Sequence, residues 1–102
     1  MNRKIALNIF VSIVLLLLAS TGYAAGDANA GKEKSAACTS CHGVNGKGPE
    51  PNPNIAGMNI GKFKTAMQEY KTGKRNNPMM QMFSKKLSDQ DIEDLAAYYA
   101  GN

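Results

Sequence analysis

The feature that most constrains this chain is the segment CTSCH at residues 38–42, which holds both cysteines and the only histidine of the 102 residues. Cysteines three positions apart lie on the same side of a helical turn, so both sulfurs can reach one flat ligand. The histidine that follows directly can bind a metal at the centre of that ligand. This C-x-x-C-H spacing is the attachment motif of c-type haem. The sequence therefore predicts one haem c, with its iron, bound covalently through Cys38 and Cys41 and ligated by His42.

Two other chemistries use cysteines at this spacing. A structural zinc site takes four ligands, whereas two cysteines and one histidine supply three. A thioredoxin-like redox pair follows a β-strand, and no strand pattern precedes Cys38. Haem attachment is therefore the interpretation that the residues favour.

The N-terminal segment has the organisation of a secretory signal peptide. Two basic residues open the chain, a short apolar run follows, and small residues extend to Ala24. We predict cleavage there, so that residues 1–24 are the signal peptide and residues 25–102 form one exported, periplasmic domain without stable membrane insertion. The alternative is an uncleaved anchor, since the apolar run at residues 5–19 is only slightly shorter than the ~17 residues that a membrane span needs.

Removal of residues 1–24 takes away two basic residues and lowers the net charge from +4 to +2. So weak a positive charge does not indicate nucleic-acid binding. A domain of this length buries too little surface to be comfortably stable, and its two cysteines allow one disulfide at most. A haem would supply the missing core, because it is a large apolar plate around which helices can pack.

Apolar periodicity and capping residues predict an all-α fold. Residues 27–39 have a helical pattern, whereas residues 43–57 contain four glycines and three prolines and are predicted to form a loop. A second helix is predicted over residues 59–72, and Ser88 is the predicted N-cap of a last helix that ends at Gly101. The apolar face of the second helix is formed by Ile60, Phe63, Met67 and Tyr70.

The sixth ligand of the iron must differ in type from the fifth, because His42 is the only histidine. Methionine is the remaining soft ligand, and five methionines follow residue 24: Met58, Met67, Met79, Met80 and Met82. Met67 lies at helical spacing and is predicted to pack in the core. The last three follow Pro78 in what we interpret as an interrupted stretch, and one of them is predicted to bind iron.

Across nearly all of residues 25–102 the chain resembles the class I monohaem cytochromes c, specifically the short bacterial kind related to the diheme c-four cytochromes. The resemblance is carried by the blocks AGDANAGKEKSAACTSCHG, PNIAG, YKTGKR, MMQM and LSDQDIEDLAAYYA. It implies about four short helices wrapped around one covalently bound haem. It also implies that the first and last helices cross where Gly31 meets Leu95 and Tyr98.

The resemblance assigns roles to residues around the haem. The Pro53 carbonyl is expected to accept a hydrogen bond from the His42 ring, which would fix the ring's orientation. Tyr70 and Arg75 match positions near the haem pocket, where an arginine can pair with a propionate. The alternatives are a tyrosine that only packs in the core and an arginine that is only a solvated surface charge.

The resemblance also orders the candidates for the sixth ligand. The axial methionine of the family lies a fixed distance before the hydrophobic residue that opens the LSD block. That residue is Leu87 here, and the distance selects Met80, with Met79 second and Met82 third.

The predicted function is electron transfer without catalysis, by a monomeric periplasmic carrier with histidine and methionine as axial ligands. Lysines and an arginine between residues 59 and 87 predict a docking face for redox proteins beside the exposed haem edge, and nucleic acid is not a predicted partner. One alternative is the cytochrome subunit of a larger redox enzyme, such as a flavoprotein sulfide dehydrogenase. Another is a haem gas sensor or peroxidase with a labile methionine ligand.

Overall fold

A computed structural model describes residues 25–48 and 50–102, and these residues form helices and loops without a β-strand. The all-α prediction is therefore confirmed. The signal-peptide prediction for residues 1–24 lies outside the described residues. Among the described helices, none has the length and apolar character needed to cross a membrane. The helices are α1 (Ala28–Lys34), α2 (Thr39–His42), α3 (Ile60–Thr72), α4 (Pro78–Lys85) and α5 (Asp89–Ala100), with 3-10 turns at Ser35–Ala37 and Val44–Gly46.

The first predicted helix is present but divided. Asp27 caps α1, since its side chain accepts hydrogen bonds from the N–H groups of Asn29 and Ala30. After Lys34 the chain tightens into a 3-10 turn and then continues as the single helical turn α2. The two cysteines and the histidine therefore lie on and beside one short turn rather than on a long helix.

The predicted ends of α3 and α5 are confirmed. The Asn59 side chain accepts from the Lys62 N–H at the start of α3, and Gly73 ends it in a left-handed conformation at φ 81°. At the start of α5, the side chains of Ser88 and Asp91 each accept the other residue's backbone N–H, which forms a capping box.

The interpretation of the segment after Pro78 as an interrupted stretch is wrong. Pro78 is the first residue of α4, a position where the missing proline N–H costs no helical hydrogen bond. The Asn77 side chain caps this helix by accepting from the Met80 N–H at 3.1 Å. The three methionines of this segment therefore lie on a helix.

The apolar core is small and comes from α3 and α5. Its buried members are Phe63, Met67, Ile92, Leu95, Ala96 and Tyr99. The prediction that Met67 packs in the core is confirmed. Ile60 does not join the predicted apolar face, since it is the first residue of α3 and is 45% exposed. Among the described residues, six buried apolar side chains are few for a domain of this size, which leaves room for a large apolar group.

Helices α1 and α5 cross at van der Waals distance. A Cβ atom placed on Gly31 would lie 2.0 Å from the Asp94 carbonyl oxygen and 2.8 Å from the Tyr98 Cβ. The predicted approach to Tyr98 is confirmed, although the nearest atoms belong to the Asp94 backbone and not to Leu95. Only glycine at position 31 allows this approach of the two helices.

A buried carboxylate joins the same two helices. Asp94 is 3% exposed and accepts hydrogen bonds from the Asp27 backbone N–H and the Gln90 amide, both at 2.9 Å. Lys34 forms ion pairs with Asp94 and with Asp91. The Asp27 N–H, followed by the Lys34 ammonium and the Gln90 amide, lowers the pKa of Asp94 from 3.8 to about 2.

Candidate haem-binding site

The α2 turn holds the two cysteines in different environments. Cys38 is partly buried and packs against the core, whereas Cys41 is exposed. The His42 N–H donates to the Cys38 carbonyl at 2.9 Å, which closes the turn that carries all three residues. Burial raises the pKa of the Cys38 thiol, against the opposing effect of the Tyr99 hydroxyl. The turn therefore presents one thiol to the core and one to the surface.

The His42 side chain is buried and has a defined hydrogen-bond partner. Its Nδ1 lies 2.9 Å from the Pro53 carbonyl oxygen, the contact that the family resemblance implies. A carbonyl oxygen can only accept, so Nδ1 carries the proton and the lone pair of Nε2 is available to a metal. The imidazole is therefore in the tautomer that an axial ligand needs.

The loop that carries Pro53 is tied to the α2 turn at a second point. The Asn52 side-chain amide donates to the Cys41 carbonyl at 2.9 Å. Asn52 is not among the residues predicted for the site. The residue lies in a loop rich in glycine and proline, and no local pattern indicates a partner eleven positions earlier. The Asn52–Cys41 hydrogen bond depends on how the loop packs against the α2 turn, so only the structure shows it.

A further contact joins the 3-10 turn after α2 to the last helix. Asn45 has a φ of 60°, in the left-handed region that few residues other than glycine adopt. Its side-chain oxygen accepts a hydrogen bond from the Tyr98 hydroxyl at 2.9 Å. The chain that leaves the C-x-x-C-H motif is thus attached to α5, the helix that supplies most of the core.

The three methionines of α4 differ in exposure. Met79 and Met82 are 57% and 46% exposed, whereas Met80 is partly buried and packs against the core cluster. Because α4 is helical, adjacent residues 79 and 80 point in different directions. Met80 is therefore the least exposed of the three side chains, and its role as the sixth ligand stays a prediction.

Tyr70 and Arg75 lie next to each other. Tyr70 is partly buried against the core, and the guanidinium carbon of Arg75 lies 5.7 Å from the Tyr70 ring centroid. The Arg75 Nε donates to the Glu69 carboxylate at 2.8 Å, a contact that was not predicted. The contact with haem predicted for these two residues stays a prediction.

A surface groove is lined by residues other than the predicted site residues. It has a volume of about 680 Å³ and runs between α3 and the start of α5. Its walls carry both signs of charge, with Lys64 and Lys74 opposed by Glu69, Asp89 and Glu93.

The donor set fits a c-type haem. Two cysteines lie on and beside one turn, the buried imidazole has Nε2 available, and the Met80 thioether packs against the core. Within the described residues, no three histidine, cysteine, aspartate or glutamate side chains cluster as a metal site.

Residues 28–100 match the family model described as cytochrome c. The chain belongs to the cytochrome c family. Its cofactor is therefore haem c, bound covalently, and the function of the family is electron transfer.

Individual relatives place the chain near the c4 and c-554 cytochromes. It is 44% identical over 94 residues to cytochrome c4 of Pseudomonas aeruginosa, which covers 90% of this chain and 47% of the relative. It is 40% identical over 80 residues to cytochrome c-554(548) of Halomonas halodenitrificans, which covers 74% of this chain and 96% of the relative. The chain thus spans about half of the c4 protein and nearly all of the c-554(548) protein.

A solved structure supports the same fold. Reduced recombinant cytochrome c4 from Pseudomonas stutzeri superposes with a TM-score of 0.72 at 39% identity, over 76% of this chain and 46% of that one. The class I cytochrome c fold expected from the sequence is confirmed.

Proposed function

We propose that this cytochrome is a periplasmic one-electron carrier whose haem iron is ligated by His42 and Met80. The observation that carries the proposal is the partly buried position of Met80 against the core, beside two methionines that are about half exposed. When bound, haem supplies an iron that gains and loses one electron. His42 and Met80 would hold the iron and leave it no open position for a substrate, so electron exchange is the activity that would remain.

Each residue has a distinct part in this activity. His42 holds its proton on Nδ1 against the Pro53 carbonyl, which keeps the ring oriented and strengthens the opposite nitrogen as a ligand. Met80 is held by a helix that starts at Pro78 and is capped by Asn77. A thioether favours the reduced, less charged iron, so this ligand raises the reduction potential.

The relatives support a carrier rather than an enzyme. Besides the c4 and c-554 proteins, the chain is 33% identical over 63 residues to a protein of Stutzerimonas stutzeri named thiosulfate dehydrogenase electron acceptor. That match covers 60% of this chain and 29% of the relative. It supports a role as an electron acceptor but does not identify the electron donor. The basic, apolar and small-residue pattern of residues 1–24 supports export to the periplasm.

Replacement of the methionines tests the ligand. Met80→Ala should abolish the weak sulfur-to-iron charge-transfer band of the oxidised protein, lower its potential and open the iron to carbon monoxide. Met79→Ala, on the adjacent and more exposed side chain, is the matched control and should leave all three properties nearly unchanged. The measurement is a redox titration followed by optical spectra, with and without carbon monoxide.

Two outcomes would contradict the proposal in different ways. If Met79→Ala has the larger effect, the ligand is Met79 and the position is wrong by one residue. If the unmodified protein binds carbon monoxide readily, the methionine bond is weak or absent, and a gas sensor or peroxidase becomes the better interpretation.

The docking face for redox partners is the lysine-rich surface between residues 59 and 87. Two of its lysines are already engaged, because Lys64 pairs with Glu93 and Lys71 donates to the Leu87 carbonyl. Lys62, Lys74, Lys85 and Lys86 are exposed. Exposed cations suit the short-lived, charge-steered contacts of an electron carrier, so the expected partners are redox proteins with an acidic patch.

Charge reversal tests this face. Lys74→Glu with Lys85→Glu should lower the rate of association with an acidic redox partner and leave the potential nearly unchanged, because surface charges beyond ~8 Å are screened at physiological ionic strength. Lys32→Glu, on the exposed side of α1, is the control at another site. A reaction rate that is flat from low to high salt would contradict steering by charge and favour a fixed subunit interface.

A further inference from the structure

We propose that Asn52 is a positioning residue for the axial histidine: its amide fixes the Pro53 carbonyl against His42. The proposal rests on His42 as an iron ligand, which is part of the proposed function. Two hydrogen bonds of 2.9 Å carry it, from the Asn52 amide to the Cys41 carbonyl and from the His42 ring to the Pro53 carbonyl. They join two consecutive residues of the motif to two consecutive residues of the loop.

The rest of the loop explains why the Asn52 bond matters. The backbone hydrogen bonds described between this loop and the motif region lie at the loop's two ends. The Gly48 N–H donates to the His42 carbonyl at 2.7 Å, and the Ile55 N–H donates to the Gly46 carbonyl at 2.9 Å. Between these ends, two described hydrogen bonds join the loop and the α2 turn: the Asn52 amide donates to the turn, and the His42 ring donates to the loop. Asn52 is therefore a support for Pro53 that does not depend on the imidazole.

The acceptor of this bond is a carbonyl at the end of a helical turn. The last four carbonyls of a helix have no partner within it, and α2 is only four residues long. The Thr39 carbonyl accepts from the Gly43 N–H, and the His42 carbonyl accepts from the Gly48 N–H. Asn52 supplies the partner of the Cys41 carbonyl between them.

Backbone restrictions at Asn52 and Pro53 allow the Asn52 hydrogen bond to hold the Pro53 carbonyl in position. A residue before proline is confined to extended conformations, and proline fixes its own φ near −65°. Once the Asn52 side chain is anchored, few free torsions separate it from the Pro53 carbonyl. Loss of the anchor should therefore let this carbonyl move away from His42 Nδ1 more often, while the covalent and apolar contacts of the domain stay in place.

The two asparagines that flank Pro53 offer a matched pair of variants. Asn52→Asp removes the donor with almost no change of shape. Asn54→Asp brings the same charge two residues away and keeps the oxygen that accepts from the Ala56 N–H. The readout is the hydrogen-exchange rate and proton chemical shift of His42 Nδ1–H, measured by NMR on the reduced holoprotein. A role in general stability alone would not move this one proton selectively.

We expect Nδ1–H to exchange about fivefold faster in Asn52→Asp than in Asn54→Asp, the effect of losing one ordinary hydrogen bond. Its resonance should also move upfield, because its own bond to Pro53 is weakened. Equal exchange rates and shifts in the two variants would overturn the proposal. Should the aspartate prevent haem incorporation, Asn52→Ala removes the same donor without charge, and the comparison with the unmodified protein decides in the same way.

Failure of the proposed function would look different. If His42 is not an iron ligand, its ring protons in the unmodified protein will lack the large shifts that an adjacent haem ring causes. That result would remove the basis of the proposal before any variant is compared.

Discussion

The helix crossing, formed by residues 26–34 and 93–98, differs in kind from the haem-attachment segment, formed by residues 38–48 and 50–57. At the crossing, protein contacts protein: Gly31 lies against the Asp94 backbone, and the buried carboxylate has three donors. In the attachment segment, one cysteine is exposed, the other packs partly buried against the core, and the imidazole keeps Nε2 for the iron. The crossing is stabilised by contacts within the protein alone, whereas the attachment segment is arranged to bind a cofactor.

The difference indicates which interactions specify each region. The crossing is fixed by shape, because a side chain larger than hydrogen at position 31 would enter the backbone of α5. The attachment segment is fixed by chemistry, since its residues are arranged for a porphyrin and an iron atom. Substitutions in the two regions should therefore change different properties, and three experiments test this.

The largest effect is expected from loss of a cysteine. Cys38→Ala or Cys41→Ala should yield a chain that folds poorly, because the haem completes a core that contains six buried apolar residues. The unmodified protein should retain one haem through acid–organic extraction, measured by its absorbance, and the variants should show reduced helicity by circular dichroism. A native protein that loses all of its haem on extraction would break the comparison, because the segment would then not depend on covalent attachment.

A smaller effect is expected at the crossing. Gly31→Ala should lower the free energy of unfolding of the holoprotein by about 2 to 3 kcal/mol, since the added methyl group forces α1 away from α5. The haem spectrum and the potential should stay nearly unchanged. Gly101→Ala is the control, because its new Cβ would meet its nearest atoms at an ordinary 3.7 Å. Denaturant titration measures both, and equal losses would show that the crossing is not tightly packed.

The smallest of the three effects concerns pH. Because the pKa of Asp94 is lowered to about 2 in the folded protein, its contribution to stability is complete above about pH 4 and disappears as the pH falls from about 4 to about 2. Asp94→Asn should therefore be less stable at neutral pH and lose less stability over that interval. Asp89→Asn, an exposed acid on the same helix, is the control. Parallel pH profiles for Asp94→Asn and the unmodified protein would contradict the assigned role of the carboxylate.

Local sequence patterns predicted much of the fold, but they could not predict contacts between distant segments. The cap residues Asn59 and Ser88 identify helix starts because each bonds to the backbone of its own first turn. Pro78 was misinterpreted because proline interrupts a helix in its interior and begins one at its first position. Asn52 could not be found, since its partner depends on how the loop folds back.

The site residues also fall into those that a local motif predicts and those that depend on packing. The C-x-x-C-H motif identifies the cofactor because its spacing carries the chemistry, whatever the surrounding fold. The choice among the three methionines of α4 depends on which side of a helix faces the core, and the sequence alone left that open. Family resemblance selected Met80, and the exposure of Met79 and Met82 supports that selection.

The bond from the Asp27 N–H to Asp94 limits how the domain can be shortened for expression. A version that begins at Gly26 keeps the donor, the cap of α1 and the glycine whose Cβ would lie 2.1 Å from the Glu93 carbonyl oxygen. A version that begins at Asn29 loses all three and leaves a buried carboxylate with one donor fewer. Purification tags are therefore best separated from Gly26 by a flexible spacer.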